Sequence, residues 1–169
     1  MLGFSWLIFH VALAGLFILG LLAHIVAAIG WADPWSMWFE RRDWRDLYMW
    51  VRYYLALDVV IPKTGKYDVI QKIYHLCLAL LAIVMIATGT SLFLNAEVLA
   101  HLDFDWLRGQ RLLHDAGAFL FAAFVMGHMY LRLIPSRWPE FVAMFTGWIG
   151  REEFERRFDW RRWRPRLEA

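Results

Sequence analysis

Four histidines carry the chemistry that this sequence can offer. His10 and His24 lie in one apolar stretch and His114 and His128 in another, and each pair is fourteen residues apart. In a helix that spacing spans about 21 Å and keeps both rings within roughly 40° of one face. Two helices so marked can meet at two levels of a bilayer, with one imidazole from each helix at each level. Neutral imidazole suits haem iron, and the second ring nitrogen can donate to a nearby acceptor and fix the tautomer. The pattern therefore points to two bis-histidine haems stacked as a ladder. The plainer alternative is that the rings hydrogen-bond between helices or sit near span ends. An ionisable group inside a membrane is costly without a partner, however, which makes function the default. A metal-only site is less attractive, because each level offers two imidazoles and no fixed carboxylate cluster.

Rings spaced in this way need long apolar helices, and the composition supplies them. The chain has 169 residues, 60% of them hydrophobic and 20% charged, with eleven Trp. Its mean hydropathy is +0.41. So much apolar mass in blocks indicates an all-α integral membrane protein. Three stretches are long enough to cross: residues 1–31, 68–94 and 111–134, the last stopping before Pro135. Each is expected to be a helix, because other backbone exposed to lipid leaves polar groups unpaired at several kcal/mol each. The first could be mistaken for a signal peptide, but it lacks a basic start and a good cleavage site, and is read as a true span. The whole of 1–169 reads as a single membrane domain. A short amphipathic helix is expected over 42–58, where Trp44, Leu47, Tyr48, Val51 and Leu55 recur at helical spacing, and a basic tail over 137–169.

Charge sets an expected topology. Six Lys/Arg lie between the first two spans and nine follow from Arg132 onward, whereas the stretch 95–110 has Arg108 against Glu97, Asp103 and Asp105. Positive-inside counting places the N-terminus outside and the C-terminus in the cytoplasm of a bacterial inner membrane. Trp31, Trp35, Trp38, Trp138 and Trp148 form an aromatic belt on the inner side. The basic residues suit anionic lipid, and nothing in their spacing suggests nucleic acid. Cys77 is the only cysteine, which excludes an intrachain disulfide and a cysteine-based iron–sulfur centre.

Spans one and three then run in the same direction, so His10 faces His114 near the outer side while His24 and His128 lie deeper. Gly15, Gly20, Gly117 and Gly127 flank these ligands and could let a porphyrin approach the backbone, although small-residue helix packing explains them equally well. Arg108 and Arg111 are placed to meet haem propionates, or to anchor the helix at the interface. His75 enters the second span at about the depth of His24 and could substitute for it as a ligand. With Asp68, Gln71 and Lys72 it could instead form a polar pocket for a quinone, holding carbonyls and delivering protons. His101 is read as solvated or at a partner interface.

The stretch GKYDVIQKIYH, residues 65–75, resembles the GKYNAGQK motif of the gamma (cytochrome b) subunits of respiratory formate dehydrogenases and of related hydrogenase and thiosulfate or polysulfide reductase anchors. LLHDAGAFLFAAFVMGHMYLRLI, residues 112–134, is similar to the final haem-binding span of that family, and SRWPEFVAMFTGWIGREEFERRF, residues 136–158, to its inner-side extension. The resemblance implies a four-helix fold with two haem b. It implies an iron–sulfur partner fed by a Mo/W or Ni–Fe catalytic subunit, and menaquinone or ubiquinone as acceptor. Carried over, His114 and His128 are ligands of the outer and inner haem, His10 matches a ligand of the second family helix, and Lys66, Tyr67, Asp68 and Gln71 match the quinone-side motif. Asp68 stands where Asn is usual. The family's first helix has no counterpart, and His24 is at the depth to replace the ligand it would supply.

The expected function is a dihaem membrane anchor passing electrons from an iron–sulfur partner to quinone, with no catalytic pocket beyond a quinone site. The alternatives are a stand-alone transmembrane cytochrome b, or a non-haem scaffold whose histidines are packing groups.

Overall fold

The computed structural model describes residues 5–30, 34–57, 60–95 and 103–162. Trp31, Glu97 and His101 lie outside the described residues. Among the described residues six α-helices follow in order: α1 (Trp6–Gly30), α2 (Arg41–Tyr54), α3 (Val69–Leu94), α4 (Phe104–Leu133), α5 (Trp138–Thr146) and α6 (Arg151–Arg157). Among the described residues the extended backbone pairing is an isolated parallel bridge between Thr64 and Phe158. α1, α3 and α4 are each long and apolar enough to cross a membrane. The chain falls into two compact units, one carrying the residues up to Trp38 and the other Phe39–Pro165.

The first unit is carried by α1. Apart from His10 and His24 its 25 residues are apolar, and none is buried. That is the pattern of a helix whose surroundings are lipid or other apolar surface rather than water.

In the second unit α3 and α4 pack as an antiparallel pair, and glycines set the distance between them. A Cβ at Gly89 would lie 3.0 Å from the His114 ring, one at Gly117 3.0 Å from Met85 Sδ, and one at Gly127 2.5 Å from the Tyr74 hydroxyl. As the α4 number rises the α3 number falls, which gives the antiparallel sense. Gly117 and Gly127 therefore admit side chains of α3, the helix-packing alternative of the sequence reading. At Gly15 and Gly20 a Cβ would meet nothing within 4 Å.

α4 begins at Phe104, seven residues before the apolar run that marked it in the sequence. Charged residues end an apolar run without ending a helix. This one continues until Asp103, whose side chain accepts from the Asp105 N–H at 2.8 Å. Its 30 residues give about 45 Å, the thickness of a bilayer with its headgroups. The other end stops where Ile134 turns extended ahead of Pro135.

α2 turns its acidic face inward. Asp43, Asp46 and Trp50 are buried, whereas Trp44, Tyr48, Val51 and Leu55 are exposed. Lys72 of α3 meets Asp43 at 2.8 Å, and Arg162 of the tail meets Asp46 at 2.6 Å. The tail also joins the loop before α3: Thr64 N–H donates to the Arg157 carbonyl at 3.1 Å, and Asp159 N–H to the Thr64 carbonyl at 2.8 Å. Gly65 is required here, because a Cβ would sit 2.8 Å from the Arg162 carbonyl oxygen.

Candidate functional site

His114 is half-buried on α4 against Thr88 of α3, with Nδ1 at 2.9 Å from the Thr88 hydroxyl. That hydroxyl already donates to the Val84 carbonyl at 2.6 Å, so toward His114 it accepts. The proton is thereby assigned to Nδ1, and the lone pair of the ring to Nε2. This is the tautomer that an Nε2 metal ligand needs, fixed by a second contact of the kind that orients ligating histidines. His128 lies further along α4, half-buried, with its ring 5.8 Å from that of Tyr74. His10 and His24 are exposed on α1, in the first unit.

An open pocket forms where α2, α3 and α4 end together. Asp68, Gln71 and Tyr74 contribute from the start of α3, His128 and Arg132 from the end of α4, and Trp50 and Tyr54 from α2, with Arg137 beyond. Asp68 and Gln71 first serve the helix itself. Asp68 Oδ1 accepts from the Gln71 N–H at 2.8 Å, and Gln71 Oε1 accepts from the Asp68 N–H at 3.1 Å. This reciprocal cap explains the residue types and their spacing of three with no ligand at all. It also leaves the Gln71 amide nitrogen as a donor, while Asp68 Oδ2 lies 3.6 Å from Arg137. Asn at position 68 could cap equally well, so the Asp of this chain keeps the cap and adds a charge for Arg137.

His114, His128 and the polar pocket share the second unit, and a likeness to known proteins runs through most of the chain. The family model described as prokaryotic cytochrome b561 matches residues 1–147. The chain belongs to the prokaryotic cytochrome b561 family. Membership assigns it to the membrane haem-b electron-transfer proteins. No curated protein and no solved structure matches the chain.

In this cytochrome b561 the His114 imidazole is of the type that haem iron takes, and Thr88 holds its Nδ1 proton. The remaining residues singled out from the sequence are distributed as follows. Asp68, Gln71 and His128 come together in the pocket. Lys72 is buried against Asp43 rather than in the pocket lining, and His75 is exposed on α3 and is not part of that lining. Arg108 and Arg111 are exposed within the first turns of α4, before His114.

Seven pocket residues escaped the sequence reading, among them the aromatic Trp50, Tyr54 and Tyr74 and the basic Arg132 and Arg137. Arg132 was within reach, since it follows His128 by four and so shares its helix face. Arg132 and Arg137 each lie 3.6 Å from Glu140, and Arg157 is bound to the same carboxylate at 2.9 Å. One carboxylate thus gathers three guanidinium groups, and the pocket rim is left with a surplus of donors.

Proposed function

We propose that this cytochrome b561 is a dihaem membrane anchor that passes electrons from the iron–sulfur partner of a formate dehydrogenase-like complex to quinone. The observation that carries this reading is the pocket in which Asp68 and Gln71 meet His128. A candidate haem ligand and the polar residues suited to a quinone head group share one wall, so electron transfer between them needs no long path.

In this reading His10 with His114 and His24 with His128 hold the two haems, with His75 as a substitute for His24. Bound haem b supplies a one-electron couple at each level. Thr88 keeps the His114 proton on Nδ1, and Tyr74 braces the α3–α4 pair by donating to the Phe124 carbonyl at 2.8 Å. The Gln71 amide and the guanidinium groups of Arg132 and Arg137 offer donors to quinone carbonyls, and Asp68 lies beside them to relay protons. Menaquinone and ubiquinone both fit this chemistry. The chain resides in the bacterial inner membrane with its N-terminus outside, held there partly by anionic lipid against its basic residues. An iron–sulfur subunit and a Mo/W or Ni–Fe catalytic subunit complete the complex.

The test is a reduced-minus-oxidised visible spectrum of the purified protein, with the haem-to-protein ratio measured as the pyridine complex. Two b haems per chain are expected. A single haem sinks the relay within this chain, and a colourless protein purified with its native partners sinks the haem assignment altogether.

A further inference from the structure

Arg132 and Arg137 both line the pocket, and their side chains keep 19% and 25% of their surface exposed. Each lies 3.6 Å from the same Glu140 oxygen, and Arg137 is also 3.6 Å from Asp68 Oδ2. These distances hold charge without making a hydrogen bond. The other Glu140 oxygen is taken by Arg157 at 2.9 Å. Two guanidinium groups, each a planar fork of N–H donors, therefore reach the pocket with no hydrogen-bonded acceptor among the described residues. Charge is left over as well. The ion pairs that run from Asp68 through Glu140 to Glu153 join four guanidinium groups to three carboxylates, so one positive charge has no counterpart in this network. α3 begins and α4 ends at the pocket, and both are long and apolar enough to cross a membrane, which sets the pocket at the depth of lipid head groups. Trp138, Phe145 and Trp148 are exposed just beyond it, residue types of the membrane interface. Ile70, Leu131 and Tyr54 give the pocket an apolar side.

We propose that Arg132 and Arg137 bind the phosphate of an anionic phospholipid, one molecule per chain, seated in the mouth of this pocket. A phosphodiester carries the single negative charge that the network lacks, and its two free oxygens match the guanidinium fork. Its acyl chains have the apolar side of the pocket to lie against. A head group without a cation, such as that of phosphatidylglycerol, keeps the charges even, whereas choline brings a further positive charge to the rim. One phosphate does not exhaust the five N–H groups of each guanidinium, so donors remain for a quinone carbonyl. The inference rests on the membrane placement proposed above, and it turns a general attraction for anionic lipid into a site with named residues.

Native mass spectrometry of the full chain, delipidated in detergent and titrated with dioleoylphosphatidylglycerol or dioleoylphosphatidylcholine, reads the affinity of the first bound lipid. The wild type is expected to prefer phosphatidylglycerol by roughly two- to fivefold, the scale of one exposed charge contact. The R132Q/R137Q variant is expected to bind phosphatidylglycerol roughly ten- to a hundredfold more weakly, the loss typical of hydrogen bonds to a charged group. R151Q/R161Q removes the same charge from exposed positions outside the lining, and is expected to change that affinity by no more than about twofold. Equal weakening in both variants overturns the site in favour of diffuse attraction and leaves the general reading standing. Equal wild-type affinity for the two lipids overturns both. Unchanged phosphatidylglycerol affinity in R132Q/R137Q also overturns the site, and a fall in haem content in that variant then assigns the pair to a haem propionate. Should R132Q/R137Q fail to fold, R137K decides the matter, because it keeps the charge and loses the fork. A loss of roughly three- to tenfold in that variant upholds the proposal, and wild-type affinity overturns it.

Discussion

Thr88 does for His114 what no helix geometry can do alone. A helix aims an imidazole, but it does not choose which nitrogen carries the proton. The Thr88 hydroxyl makes that choice because its own proton is committed to Val84. Thr88→Val keeps the shape and removes the acceptor, leaving Nδ1–H unpaired. With His114 as the proposed haem ligand, haem retention is expected to fall by about 10–100-fold, the usual effect of losing a contact behind a metal ligand. The rate of haem transfer to excess apomyoglobin measures it, and an unchanged rate would show that Thr88 does not orient the ring. The histidines stand out in the sequence through their matched spacing of fourteen, which marks them as candidates. Thr88 was not, because a threonine in an apolar helix has no pattern to mark it, and its partner is 26 residues away.

The α3–α4 pair is built on close approach, so it is least tolerant where a glycine admits a rigid side chain. At Gly127 an added methyl group meets the Tyr74 hydroxyl, which is itself held on the Phe124 carbonyl. Gly127→Ala is expected to cost about 1–3 kcal/mol through overpacking, read as a fall in thermal stability in detergent. Gly20→Ala, where nothing lies within 4 Å, is expected to leave that stability unchanged or slightly raised. The three spans were legible because twenty apolar residues in a row have few alternatives. The end of α4 was not: Phe104 to Gln110 is too polar to count as membrane-spanning, yet nothing in it breaks a helix. Asp68 and Gln71 stood out as a motif, and their spacing of three proved to serve a helix cap as well as the pocket. α2 was legible only on its outward side. Its apolar stripe was recognised, but the inward acidic face makes sense only with Lys72 and Arg162, the latter 116 residues from Asp46.

The polar end of the second unit is held by charge more than by apolar packing. Asp46 is 2% exposed, and Arg162 is its ion-pair partner at 2.6 Å. Arg162→Ala leaves that carboxylate buried with its main compensation gone, at a cost of about 3–5 kcal/mol. The expected result is detachment of the tail, seen as rapid proteolysis after Arg156 or Arg157. Tail docking also depends on pH through α6. Partial burial pushes the Glu153 carboxyl up, but hydrogen bonds from Arg156 and Arg157, with their charges, outweigh it and hold the group below its ordinary value of 4.5. A depressed carboxylate contributes stability that is fully present above the ordinary value and is lost as pH falls through the folded one. Amide hydrogen exchange in α6 is therefore expected to stay slow at neutral pH and to accelerate below about pH 4 relative to Glu153→Gln, which lacks that transition.

The bridge from Thr64 to Phe158, with Arg162 lying across Gly65, also has a meaning in time. The loop that leads into the pocket is completed by backbone made almost 100 residues later. At about 5–20 residues per second, α4 is complete for roughly 1–6 s of synthesis before that segment follows. The pocket end is thus the last part of the molecule to set. For those seconds Asp46 on α2 and the loop before α3 wait for partners in the tail, Arg162 and Asp159, that are not yet made.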